Sequence, residues 1–239
     1  MPALLNYTLA ERIATLAMDD GKANVMSVAM LQALSDALDQ AQADNAAVVI
    51  IGRTGMFSGG FDLAVFKRDP AELLRMLEAG ARLTQRLLSF PLPVVAACSG
   101  HAIAMGAFLL LSTDVRIGVD AGARIQVNEV QIGLTLPRFA IEVCRQRLAP
   151  AHLNLAALTA EPYAPREALS AGFLDEIVPA PALADAARAR AARLLTLHGE
   201  SYAATKLRLR AAVLDALAQA IRDDLADWSA RFAGRAGTP

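Results

Sequence analysis

Apolar residues along this chain recur with two periods. The runs "AAVVIIG" (46–52) and "VVAAC" (94–98) are unbroken and of strand length, which predicts strands buried on both faces. At the start, "LNYTL" and "RIATLAM", parted by Ala10 and Glu11, predict a strand pair. Helical spacing begins at Ser27, a suitable N-cap: in "SVAMLQALSDALDQAQ", Met30, Leu34 and Leu38 recur every fourth position with Leu31 alongside. Asp69 and Pro70 open a second amphipathic helix over "PAELLRMLEAGARLTQRLLSF", with proline suited to the first turn. A buried helix through "MGAFLLLS" and strands "VRIGV" and "RIQV" follow. Strands alternating with helices imply crossovers between parallel strands, hence an α/β fold. From Pro137 the chain reads as almost entirely helical: "RFAIEVCRQRL", "AHLNLAALTA", "PREALSAG" and two long helices from Pro181 and Ser201. A soft boundary near residue 180 divides a core (1–180) from a C-terminal helical region (181–239).

Composition narrows the class. With 239 residues the chain can bury a large core. Its 23 basic and 24 acidic residues nearly cancel, so no footprint for nucleic acid or an anionic membrane stands out. Cys98 and Cys144 form no metal-like pair, and His101, His152 and His198 are scattered. No metal site is expected, and free thiols fit a reducing cytoplasm. The opening "MPALLNYTLAER" lacks the basic and apolar regions of a secretory signal. Residues 94–111, "VVAACSGHAIAMGAFLLL", approach membrane-spanning length, but two glycines, a serine and a histidine favour strand, turn and helix.

Candidate chemistry begins at "GMFSGGFDL" (55–63), a glycine-rich loop that leaves the buried strand. A phosphate-binding P-loop would need Lys and Ser or Thr after its last glycine, but Phe61 and Asp62 follow Gly60. No G-x-G-x-x-G follows a strand, and Ser99 in "ACSGH" is not a nucleophile elbow. The ordered series "GMFSGGFDL", "PLPVVAACSGHAIAMGAFLLLSTDVRIG", "RIQVNEVQIGLTLP" and "PREALSAGFLDEIV" instead resembles the crotonase superfamily, the enoyl-CoA hydratase/isomerase family. "KANVMS" (22–27) is similar to its early CoA-contacting loop. The resemblance implies a spiral of ββα units with a helical C-terminal region, assembled as a homotrimer or dimer of trimers. It also implies an acyl-CoA thioester as substrate, with no cofactor beyond the CoA that the substrate carries.

In that family two backbone N–H groups hold the thioester oxygen; by position they are those of Phe61 and Met105. Unpaired amides at a helix start favour a developing enolate oxygen. Met105 stands where the family often has glycine, and its side chain is expected to narrow the space there. Gly59, Gly60, Asp62, Leu63, Lys22 and Ala23 are the implied substrate contacts, with Lys22 and Lys206 as candidate phosphate partners. Asp62 and Asp114 also suit backbone capping, and His101 a structural hydrogen bond. A family hydratase uses two glutamates. The first position falls on Phe108, so that carboxylate is missing; the second falls on Glu129 in "VNEVQIG", with Asn128 beside it. One carboxylate suffices to move a double bond from the 3 to the 2 position, and the family's isomerases are apolar where Phe108 stands. The expected activity is therefore enoyl-CoA isomerisation with Glu129 as proton shuttle. The alternatives are a hydratase in which Glu129 works alone and a non-catalytic CoA-fold protein that binds a partner or RNA.

Overall fold

The computed structural model describes residues 3–120 and 122–233, so the outermost residues of both expected segments, 1–2 and 234–239, lie outside it. Strand β1 (Leu5–Ala10) pairs antiparallel with β2 (Ile13–Met18). Glu11 and Arg12, at φ 53° and 60°, make the turn. Two positive-φ residues give the twist that a two-residue hairpin needs, and the turn lies one residue later than the pattern predicts. Ser27 caps α1 (Val28–Ala43) by accepting from the Met30 N–H at 3.2 Å, and Met30, Leu31, Leu34 and Leu38 form its buried face.

Next come β3 (Ala47–Ile51), β4 (Gly55–Ser58) and α2 (Pro70–Ser89), the helix capped by Asp69 with proline in its first turn. The same order repeats with β5 (Val94–Cys98), β6 (Gly100–Ile103) and α3 (Met105–Leu111). A third turn follows with β7 (Val115–Val119), β8 (Ile125–Gln126) and α4 (Arg138–Arg145). The first strand of each turn joins a six-stranded sheet and the second a three-stranded parallel sheet, β4-β6-β8. The chain therefore winds as a spiral of ββα units. The apolar stretch 94–111 divides into β5, β6 and α3, and among the described residues no helix is long and apolar enough to cross a membrane. Two expectations need correction here. The loop at residue 55 starts as β4, and the turn at "SGH" becomes β6; strands this short carry too few side chains to show a period.

After α5 (Pro150–Ala157) and α6 (Pro165–Ala171), the region from Pro137 is not wholly helical. Strand β9 (Glu176–Val178) pairs parallel with β7 at the edge of the larger sheet. Asp175 anchors it, accepting from the Arg116 N–H at 2.9 Å while its own N–H donates to the Arg116 carbonyl at 2.8 Å. Helix α7 (Leu183–Leu195) packs Leu183, Ala187 and Ala191 on the face of that sheet formed by Val49, Val95 and Ile117. Helix α8 (Gly199–Ala233) lies across α2 and α4. Lys206 is a buried strut of α8: its Nζ donates to the Phe90 and Leu92 carbonyls and pairs with Asp114 at 2.7 Å, so it is not available to a phosphate.

Candidate active site

The glycines after β4 are sewn to the loop at residues 22–26. Gly59 N–H donates to the Ala23 carbonyl and Met26 N–H to the Gly60 carbonyl, both at 2.8 Å. Gly60 adopts φ +92°, and a Cβ there would lie 2.9 Å from the Ile103 carbonyl oxygen and 3.4 Å from Met105 N. Only glycine allows both the conformation and the approach. Ala104, the residue before α3, is held at φ 51° and ψ −121°, a region that L-residues enter at a cost of ~1–3 kcal/mol and chiefly at functional sites. This corner places the first N–H of α3 beside the Gly60–Phe61 peptide. Among the described residues neither the Phe61 nor the Met105 N–H donates a hydrogen bond. Two free amides on converging segments make an oxyanion hole geometrically available.

Phe61 turns its ring onto α2, where Gly80 makes room: a Cβ at Gly80 would stand 2.5 Å from Phe61 Cζ. The Met105 side chain is fully buried, with its sulfur facing the same glycine, and it does not line the cavity. The expected narrowing is therefore absent, because the side chain points into the α2 interface and only the amide faces the site.

Beside these amides lies a cavity of about 220 Å³ with mostly apolar walls. Leu73 and Leu77 of α2, Phe108 of α3 and Trp228 of α8 contribute to them. Phe108 packs edge-on against Phe139, which packs edge-on against Trp228, at centroid distances of 5.9 and 6.4 Å. Among the described lining residues Glu129 is the only acid and Arg231 the only base. Glu129 follows β8 and opens the 3₁₀ turn Val130–Ile132. It is 6% exposed, and its Oε2 has no hydrogen-bond partner. Burial pushes its carboxyl from the ordinary 4.5 up to about 7, because an apolar wall without a paired cation disfavours the charged form. Asn128 Oδ1 is likewise buried without a partner.

The cavity thus brings together Gly59, Phe61, Leu63, Phe108, Asn128 and Glu129. It does not include Lys22, Ala23, Gly60 or Asp62. Asp62 accepts from the Ala64 N–H at 2.9 Å, a turn cap, while Lys22 is exposed and its carbonyl holds Arg53. His101 is structural, its Nδ1 accepting from the Arg124 N–H at 3.0 Å. Ala104, Trp228 and Arg231 escape a reading of the sequence. Nothing in the string marks Ala104 as strained, and the other two reach the site from a helix that begins far from it in sequence.

Residues 8–234 match the family model described as enoyl-CoA hydratase/isomerase. A putative enoyl-CoA hydratase of Thermus thermophilus is 34% identical over 205 residues, which cover 83% of this chain and 78% of that protein. The solved structure of an enoyl-CoA hydratase/isomerase family protein from Pseudomonas syringae superposes with a TM-score of 0.91 at 42% identity, covering 93% of this chain and 96% of that one. A Mycobacterium tuberculosis protein, solved once as an enoyl-CoA isomerase and once as a probable enoyl-CoA hydratase, superposes with TM-scores of 0.91 and 0.89 at 42% identity, covering 95% and 96% of this chain and 99% and 96% of its own.

Proposed function

The chain belongs to the enoyl-CoA hydratase/isomerase family, with its crotonase fold, and from that premise we propose that this acyl-CoA enzyme shifts the double bond of a 3-enoyl-CoA to the 2 position. The observation that carries the proposal is the carboxylate of Glu129, the one acid among the described lining residues and with its buried Oε2 unpartnered, in a cavity whose other candidate acid position holds Phe108. Glu129 takes a proton from the alpha carbon. The electron pair moves into a dienolate whose oxygen is held by the Phe61 and Met105 amides, and the same carboxyl returns the proton to the gamma carbon. Bonds and charge balance with one acid-base group. Burial, by lifting Glu129 towards neutrality, makes it a stronger base than an exposed carboxylate and a competent acid in the return step. Phe108 supplies dry wall where a second acid would otherwise bring water. Gly59, Leu63 and Asn128 would contact the acyl thioester, and the loop that carries Lys22 and Ala23 would meet the CoA.

Water addition is the second reading, favoured by the name of the Thermus relative. Incubation with 3-enoyl- and trans-2-enoyl-CoA, with products identified by mass, separates the two. The expected result is faster isomerisation than hydration, and a hydration-to-isomerisation ratio that rises in Phe108→Glu. Wild-type enzyme that hydrates much faster than it isomerises would assign the chain to the hydratases.

A further inference from the structure

We propose that Trp228 is the wall that sets acyl-chain length, so that the enzyme selects chains whose methyl end stops beneath the indole. The inference rests on the acyl-CoA reading above and adds a specificity determinant to it. Three observations lead there. First, the amides that would hold the thioester sit at the N-terminus of α3, while Trp228 reaches the cavity from α8, two aromatic ring contacts away through Phe108 and Phe139. Phe61 and the half-buried Trp228 line the same cavity, so a chain that starts at Phe61 and runs along its apolar walls can reach the indole.

Second, the wall is fastened. One turn before Trp228, the buried Asp224 accepts from the Arg138 N–H at 3.0 Å and the Phe139 N–H at 2.9 Å. These are amides of the first turn of α4, which no helical partner satisfies and which favour a negative charge. A carboxylate 85 residues away in sequence therefore ties α8 to the helix that carries Phe139. The α8 backbone that carries the indole cannot move away from α4 without losing that cap. Third, among its described residues α8 lends the cavity Trp228 and Arg231, and none of the groups assigned to proton transfer. Length selection and chemistry therefore reside on different segments.

Trp228 is the only tryptophan in the sequence, so its emission reports directly on the wall. Saturated hexanoyl-, decanoyl- and hexadecanoyl-CoA bind without reacting, and calorimetry gives their affinities whichever reaction the enzyme performs. The expected result is that hexanoyl-CoA binds with little change in emission, whereas decanoyl-CoA shifts it. In Trp228→Ala the affinity ratio of hexadecanoyl- to hexanoyl-CoA should rise roughly tenfold, the scale on which a hydrophobic pocket discriminates apolar substituents. Trp228→Phe should fall between, and it decides the matter if the alanine variant does not fold. Bound acyl-CoAs that leave both the emission and the variant's length profile unchanged would overturn the assignment while the acyl-CoA reading stands. Wild-type protein that binds none of the three would overturn both.

Discussion

In the proposed reaction Glu129 is the residue on which the chemistry turns, and its burial predicts a kinetic signature. Proton abstraction needs the carboxylate, and the carboxyl is held up to about 7. The rate on 3-enoyl-CoA at limiting substrate should therefore climb tenfold per pH unit below about 7 and level above it. Glu129→Gln keeps the shape but cannot accept a proton, and should lower turnover by roughly a hundredfold to ten-thousandfold while acyl-CoA affinity holds. A wild-type profile flat through this range, or a glutamine variant with near-native turnover, would remove Glu129 from the mechanism. At this scale the site is readable in the sequence where side-chain identity decides, as at Glu129 and Phe108. It is not readable where backbone conformation decides. Alanine at 104 gives no hint of φ 51°, because the strain is imposed by the Gly60 approach and by the Ala104 N–H donating to the Gln126 carbonyl at 2.9 Å.

Among the elements, the junction of α8 with α4 is the most exposed to a single change. Asp224→Ala would leave two first-turn amides of α4 without their acceptor, the Phe139 N–H buried and the Arg138 N–H partly so, a loss of about 2 kcal/mol by the measure of helix caps and unsatisfied buried donors. Chemical unfolding should register that loss, and the indole emission should change in the same variant. Native stability with unchanged emission would mean that the cap does not hold the wall. Elements that bury a long repeat of side chains, such as α1, α2, β3 and β5, declare themselves through period and caps. The second sheet does not: β4, β6 and β8 have only two to four residues each, and their pairing comes from the spiral. Strand β9 hides for the same reason, lying behind a helix signal and depending on Arg116, far away in sequence, for its register.

Across the whole molecule, ionising Glu129 opposes folding. The native state binds its proton more tightly than the unfolded chain, so the contribution of Glu129 to stability is greatest below 4.5, falls as the pH rises, and levels above about 7. At ~1.4 kcal/mol per pH unit, the difference amounts to about 3 kcal/mol. Glu129→Gln escapes this dependence, so its stability relative to wild type should grow across the same interval in urea unfolding. A constant difference would mean that the carboxylate is solvated in the native state.

The cavity itself is gathered from widely separated segments: α2, α3, the turn at Glu129 and, near the end of α8, Trp228. Synthesis proceeds from the N-terminus, and folding can follow it. A nascent chain that has left the ribosome only as far as α7 holds the amides and the base, yet Phe108 and Phe139 lie open where α8 will pack. Such an intermediate presents an apolar cleft to solvent, a surface a chaperone would bind, until translation of the last turns of α8 seals it.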